Sequence, residues 1–210
     1  GLLRVDLREG IVRILADSVA GERLRFCSNV VALSDGSVCF TVSSRRYPLD
    51  QWLGDIVEHT GTGRLLRLAP GSENPEVLLE GLQFANGLAL SSDESFLVVA
   101  ETGARRLTRY WLAGPQAGRG EPFAENLPGM PDNIWRGAPD GPIWVSLAGP
   151  HLPPLDLLHP AAELVEVHDD RDPARGRAGG RLGRRRRDHT RRRGHEDRGD
   201  ERGERQPHVR

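Results

Sequence analysis

Three positions in this chain place a side-chain oxygen at the head of a short apolar run: Asn29 before Val-Val-Ala-Leu33, Asn86 before Gly-Leu-Ala-Leu90, and Asp132 before Asn-Ile-Trp135. Each run leads to an Asp near a tight turn (Asp35, Asp93 and Asp140) and then to a second apolar run. The interval is 57 residues from Asn29 to Asn86 and 46 from Asn86 to Asp132. Propeller blades repeat at this order of spacing, roughly 40–50 residues of short antiparallel strands each. A unit that always presents an amide or carboxylate oxygen at one place implies a shared axial site. Taken alone, Asn86-Gly87 reads as a turn dipeptide, and Asp35-Gly36 and Asp140-Gly141 read as hairpin turns.

The elements that must position these residues are short strands. Leu2–Val5, Val12–Leu15, Val30–Leu33, Val38–Thr41, Leu65–Leu68, Val77–Leu79, Leu88–Leu90, Phe96–Ala100, Leu107–Leu112, Ile134–Trp135 and Ile143–Ser146 are runs rich in Val, Leu, Ile and aromatics. Gly, Asp, Pro or Ser separates them, the grammar of an all-β chain. One stretch differs. Pro48–His59 places Leu49, Trp52, Leu53, Ile56 and Val57 at helical spacing, which predicts a short helix with Pro48 in its first turn. Trp52 and Leu53 are expected to pack that insert down; a lid over a pocket is the sharper alternative.

Net charge describes neither half of the chain. It holds 29 basic and 30 acidic residues, and no lysine, so every basic residue is arginine. From Asp169 to Arg210 there are 15 Arg against 9 acids, leaving 14 Arg and 21 acids in residues 1–168. The body, near −7, suits a solvated globule or a cation site and argues against nucleic acid there. The tail, residues 168–210, has almost no large apolar side chains and is expected to be disordered, because it cannot bury enough surface to offset ordering its backbone. Its arginine runs are the single feature that favours RNA or DNA, and its interspersed acids and lack of stacking aromatics weaken it. An out-of-frame reading of a GC-rich gene accounts for the same composition. Cys27 and Cys39 flank one turn and would face each other on a simple hairpin; two unpaired thiols in a reduced, cytoplasmic setting is the reading preferred. No run approaches the ~20 apolar residues that span a bilayer.

Several motifs, in order, carry a family likeness. They are Phe40-Thr-Val-Ser-Ser-Arg-Arg-Tyr47, Thr62-Gly-Arg-Leu-Leu-Arg-Leu68, Val77-Leu-Leu-Glu-Gly-Leu-Gln-Phe-Ala-Asn-Gly-Leu-Ala-Leu90, Phe96-Leu-Val-Val-Ala-Glu-Thr102, Thr108-Arg-Tyr-Trp-Leu-Ala-Gly-Pro115 and Pro128-Gly-Met-Pro-Asp-Asn-Ile134. This set resembles the strictosidine synthase-like family, which includes the adipocyte plasma membrane-associated protein and lies close to the gluconolactonase and paraoxonase propellers. The likeness runs from Gly1 to about His159.

The resemblance implies a six-bladed β-propeller of which residues 1–160 make about three to four blades, with the active site at one mouth of the central channel. It further implies a Ca²⁺ ion there, with Asn29, Asn86 and Asp132 at ligand positions and Asn133 matching the Asp-Asn pair of the paraoxonase type. Ca²⁺ accepts neutral and charged oxygens together with water. The expected activity is hydrolysis of a small-molecule ester or lactone, with Asp132 as ligand and base. A condensing lyase joining an amine to an aldehyde, and an inactive or purely binding propeller, are the alternatives. The chain departs from the family at Val42, where an Asp usually follows Phe-Thr. The first-blade glutamate of the hydrolases would lie before Gly1, and the late glutamate of the synthases would fall in the Arg-rich region.

Overall fold

The computed structural model describes residues 1–138 and 141–158. The expected turn at Asp140 and the Arg-rich segment 168–210 lie outside the described residues. The described residues hold fourteen strands: β1 (Leu2–Val5), β2 (Val12–Ala16), β3 (Ser18–Val19), β4 (Glu22–Arg23), β5 (Cys27–Ala32), β6 (Val38–Val42), β7 (Gly63–Leu68), β8 (Glu76–Leu82), β9 (Ala85–Leu90), β10 (Phe96–Glu101), β11 (Arg106–Trp111), β12 (Gly120–Ala124), β13 (Gly129–Arg136) and β14 (Ile143–Pro150). Among the described residues two short helices accompany them, α1 (Trp52–Glu58) and α2 (Pro153–Leu158), with a 3-10 turn over Leu49–Gln51. No described helix is long and apolar enough to cross a membrane.

β5–β8 and β9–β12 each form a four-stranded antiparallel meander, the first and second blades of the chain. β1–β2, β3–β4 and β13–β14 are two-stranded. The meanders follow from turn chemistry. Gly36 adopts φ +82°, and the Asp35 carboxylate accepts the Ser37 N–H at 2.8 Å, closing the β5–β6 turn. At the matching turn of the second blade, Asp93 accepts the Ser95 N–H at 3.0 Å.

Alternation then builds three cores. Phe40, Val42, Leu66 and Leu68 face β1–β2, meeting Leu2, Ala16 and Val19. Cys39 and Leu65, on the opposite face of the same strands, meet Leu88, Leu97, Val99 and Tyr110 of the second blade. Val98, Ala100 and Leu107, on that blade's far face, meet Ile134, Ile143 and Val145. Apart from the β3–β4 hairpin, the described sheets are therefore four stacked face to face, a sector of a propeller. Strand parity also separates the two thiols: Cys27 packs at the first core and Cys39 in the second, and both are free. The register sets Cys39 opposite Val31 and Cys27 opposite Val42, so the expected facing of the two thiols does not occur.

The register identifies β1–β2. Leu65 pairs with Leu79, and a bulge follows before Leu66 pairs with Val77. Leu107 pairs with Ala124, and a bulge follows before Thr108 pairs with Pro122. Leu2 pairs with Ala16, and a bulge follows before Leu3 pairs with Ile14. β1–β2 is thus the third-and-fourth-strand hairpin of a blade, with Leu2, Leu65 and Leu107 equivalent.

The helical insert forms where expected, with Pro48 capping the 3-10 turn and extended at ψ 172°. Its buried residues are Asp55 and Ile56 rather than Trp52 and Leu53. Leu53 is exposed and Trp52 is 42% exposed, its ring 6.4 Å from that of Phe84. Asp55 accepts the Thr60 hydroxyl at 2.7 Å just past the helix end, and Ile56, 2% exposed, is the apolar side chain that the helix buries.

Candidate functional site

β5, β9 and β13 are the first strands of three successive sheets, and each carries the same irregularity. Cys27 pairs with Val42 and Val30 with Phe40, so Ser28 and Asn29 together oppose Thr41. Ala85 pairs with Glu101 and Leu88 with Val99, so Asn86 and Gly87 oppose Ala100. Pro131 pairs with Leu147 and Ile134 with Val145, so Asp132 and Asn133 oppose Ser146. A two-against-one bulge bends the strand and re-aims its side chains. Here it occurs three times, where the oxygens are.

The register moves one expected residue. Asn86 and Asp132 are first residues of their bulges, and their equivalent in the first blade is Ser28, not Asn29. Asn29 shares the second bulge position with Gly87 and Asn133. The side chains sort accordingly into two tiers. In the first, the Ser28 hydroxyl donates to Asn86 Oδ1 at 2.8 Å, and Asn86 Nδ2 donates to Asp132 Oδ1 at 2.6 Å. In the second, Asn29 Nδ2 donates to Asn133 Oδ1 at 3.2 Å. That bond passes over Gly87, the one member of its tier without a side chain.

Gly87 is required there for a second reason. A Cβ on it would lie 2.4 Å from the Ile134 nitrogen and 2.5 Å from the Asp132 carbonyl oxygen, and backbone cannot yield to that. Asn86-Gly87 therefore sits inside a strand as a close-approach pair, not in a turn.

Hydroxyls tie the inner strands together. Thr41 Oγ1 accepts the Asn29 N–H at 3.1 Å and donates to the Asn86 carbonyl at 2.6 Å. Ser43 donates to the Ala85 carbonyl at 2.8 Å, and the equivalent Thr102 to the Pro131 carbonyl at 2.7 Å. Thr102 Oγ1 also accepts from Asn86 Nδ2 at 3.2 Å. Asn86 is buried and every polar atom of its side chain has a partner, as a buried amide requires. Beside this cluster Thr102, Ile56 and Met130 help to line a cavity of about 20 Å³, room for about one water molecule. Ser28, Thr41 and Thr102 were missed by reading the runs. Aligning Cys27-Ser-Asn-Val30, Ala85-Asn-Gly-Leu88 and Pro131-Asp-Asn-Ile134 by their last, aliphatic residue would have found Ser28.

The donor set can be tested against the ion that the resemblance implies. Every side chain of the first tier offers oxygen, and the set mixes a carboxylate with neutral groups, as hard cations accept. Among the described residues no group of three or more His, Cys, Asp or Glu gathers to hold a metal, so Asp132 contributes the charge of this cluster. Asn86 presents nitrogen to Asp132, and sharing an ion with it requires the amide to turn over. Ser28 permits this, because a hydroxyl donates or accepts. The residues fit a weak, oxygen-only cation site.

The strictosidine synthase family profile matches residues 29–115, which cover the first blade and most of the second. Similarity to the Arabidopsis thaliana protein strictosidine synthase-like 13 is 40% identity over 158 residues, 75% of this chain and 39% of that protein. The chain is strictosidine synthase-like. The adipocyte plasma membrane-associated protein of Rattus norvegicus is 36% identical over 166 residues, 75% of this chain and 44% of that protein. The strictosidine synthase-like chain thus spans about two fifths of the length of these relatives. A solved gluconolactonase from Xanthomonas campestris superposes with a TM-score of 0.55 at 25% identity, over 69% of this chain and 48% of that one. The sheet stack of the strictosidine synthase-like chain is accordingly part of a six-bladed propeller.

Proposed function

We propose that the propeller to which this chain contributes hydrolyses small-molecule esters or lactones with a Ca²⁺ ion held at the inner-strand bulges. The observation that carries the reading is the Asn86–Asp132 bond at 2.6 Å, which joins the first strands of successive sheets through a carboxylate and an amide. Asn86 and Asp132 would hold the ion, with Ser28 orienting Asn86, and Asn29 and Asn133 forming the outer rim. The ion, when bound, would polarise a carbonyl and acidify water. The chain's own groups do the rest: Asp132 takes a proton from water at its free carboxylate oxygen, and Thr102 and Ser28 keep Asn86 from swinging away. The likeness to the Xanthomonas gluconolactonase supports this reading.

The test pairs binding with turnover. Calorimetric titration with Ca²⁺ should show saturable binding that Asp132→Ala weakens at least tenfold, and hydrolysis of an aryl ester or a sugar lactone should require the ion. Hydrolysis that persists in chelator would overturn the assignment.

A further inference from the structure

α1 follows β6, the turn through Thr102 and Arg105 follows β10, and α2 follows β14. Each therefore belongs to the connection that leaves the second strand of its sheet. In an antiparallel pair the end of the second strand lies beside the start of the first, and it is near the starts of β5, β9 and β13 that Ser28, Asn86 and Asp132 stand. The three connections thus gather at the end of the stack that carries the oxygen cluster. They also meet: α1 packs against α2, and Ile56 of α1, Thr102 and Arg105 of the turn, Met130 of β13, and Leu152 and Leu155 line one cavity.

Two residues tie this cavity to the cluster. Thr102 lines it, and the Thr102 hydroxyl oxygen accepts from Asn86 Nδ2 at 3.2 Å, the same amide nitrogen that donates to Asp132 at 2.6 Å. Met130 lies two residues before Asp132 on β13. A carbonyl brought to Asp132 has this space beside it.

Size and lining decide what enters. Ile56, Met130, Leu152 and Leu155 make most of the wall apolar, and the room is about 20 Å³, enough for about one water or one methyl group. An aryl or sugar alcohol, or a lactone ring, exceeds that room, which leaves a short acyl chain. The wall is held in place. Ile56 is 2% exposed and β-branched, hence stiff about its first side-chain torsion. Arg105 Nη1 donates to the Leu127 carbonyl at 3.0 Å, and the Leu127 N–H donates back to the Arg105 carbonyl at 3.0 Å.

We infer that this cavity is an acyl pocket that selects acetate-sized esters, with Ile56 and Met130 setting the limit; this rests on the hydrolase reading above and adds the acyl group to it. An apolar pocket discriminates by roughly 10–200-fold for one methylene, so the pocket distinguishes acetate from butyrate without any polar contact to the chain.

The experiment uses the whole propeller to which this chain contributes, with Ca²⁺ present, and the para-nitrophenyl esters of acetate, butyrate and hexanoate. From acetate to butyrate kcat/KM should fall at least about tenfold. Met130→Ala and Ile56→Ala should each raise the butyrate-to-acetate ratio about tenfold, and Ile56→Val, which keeps a β-branched side chain in the wall, should raise it by less. Leu53→Ala, at an exposed position of α1, should leave the ratio unchanged. A Ca²⁺-dependent enzyme with a flat chain-length profile, or a ratio that neither Met130→Ala nor Ile56→Val moves, would overturn the acyl pocket and leave the hydrolase reading standing. Hydrolysis of none of the three esters, or hydrolysis indifferent to chelator, would overturn both.

Discussion

Val42 and Glu101 occupy the same place in successive blades: Val42 pairs across its sheet with Arg64, and Glu101 with Arg106. In the second blade the buried carboxylate accepts from Arg106 Nε at 2.7 Å, from the Gln83 N–H at 2.7 Å and from the Thr108 hydroxyl. In the first blade the aliphatic side chain leaves Arg64 to reach Glu22 at 3.1 Å, with its buried Nε unsatisfied. Burial accordingly pulls the Arg64 guanidinium below its usual value.

Removing one partner of a fully buried ion pair costs about 3–5 kcal/mol; Glu101 is fully buried but the Arg106 side chain is 32% exposed, so water can reach the guanidinium left behind. Glu101→Ala should therefore destabilise the chain in urea unfolding by less than that range. Replacing Glu101 and Arg106 together by leucine should recover much of the loss, and a double variant no better than the single one would contradict this account.

Gly87→Ala is expected to lower stability by about 3 kcal/mol, the upper range for overpacking, because the methyl meets the backbone of β13. Thermal unfolding measures it. A neutral effect would mean that β9 and β13 do not approach as described.

The one-residue shift at the first blade separates two readings of the site by their Ca²⁺ affinities. Ser28→Ala removes the group that orients Asn86 and should weaken binding about tenfold or more. Asn29→Ala, which loses only the rim bond to Asn133, should change it by less. The reverse order, read by calorimetry, would restore Asn29 as the ligand.

Burial raises the Cys39 thiol from 9.0 to about 11, and the sign of the consequence is fixed. Between those values the unfolded chain has shed a proton that the folded chain keeps, so stability falls as pH rises through the interval and levels above about 11. Alkylation of Cys39 at pH 8 should follow global unfolding, since the reactive thiolate is scarce in the folded state.

Local chemistry made much of this legible from residue order. Val38-Cys-Phe-Thr-Val42 flanked by Asp35-Gly36 is a strand after a tight turn whatever surrounds it, and Pro48 with apolar residues at helical spacing is a helix start. Ordered motifs identified the family and, with it, the propeller. The strand pairing alone decided the phase of the site, because a bulge sets two residues against one and the count from one oxygen to the next no longer equals the count along a sheet. It also decided that Asn86-Gly87 is a contact between backbones and that parity places Cys27 and Cys39 in different cores. Which faces pack into the three cores is likewise a property of the assembled sheets and appears nowhere in the spacing of residues.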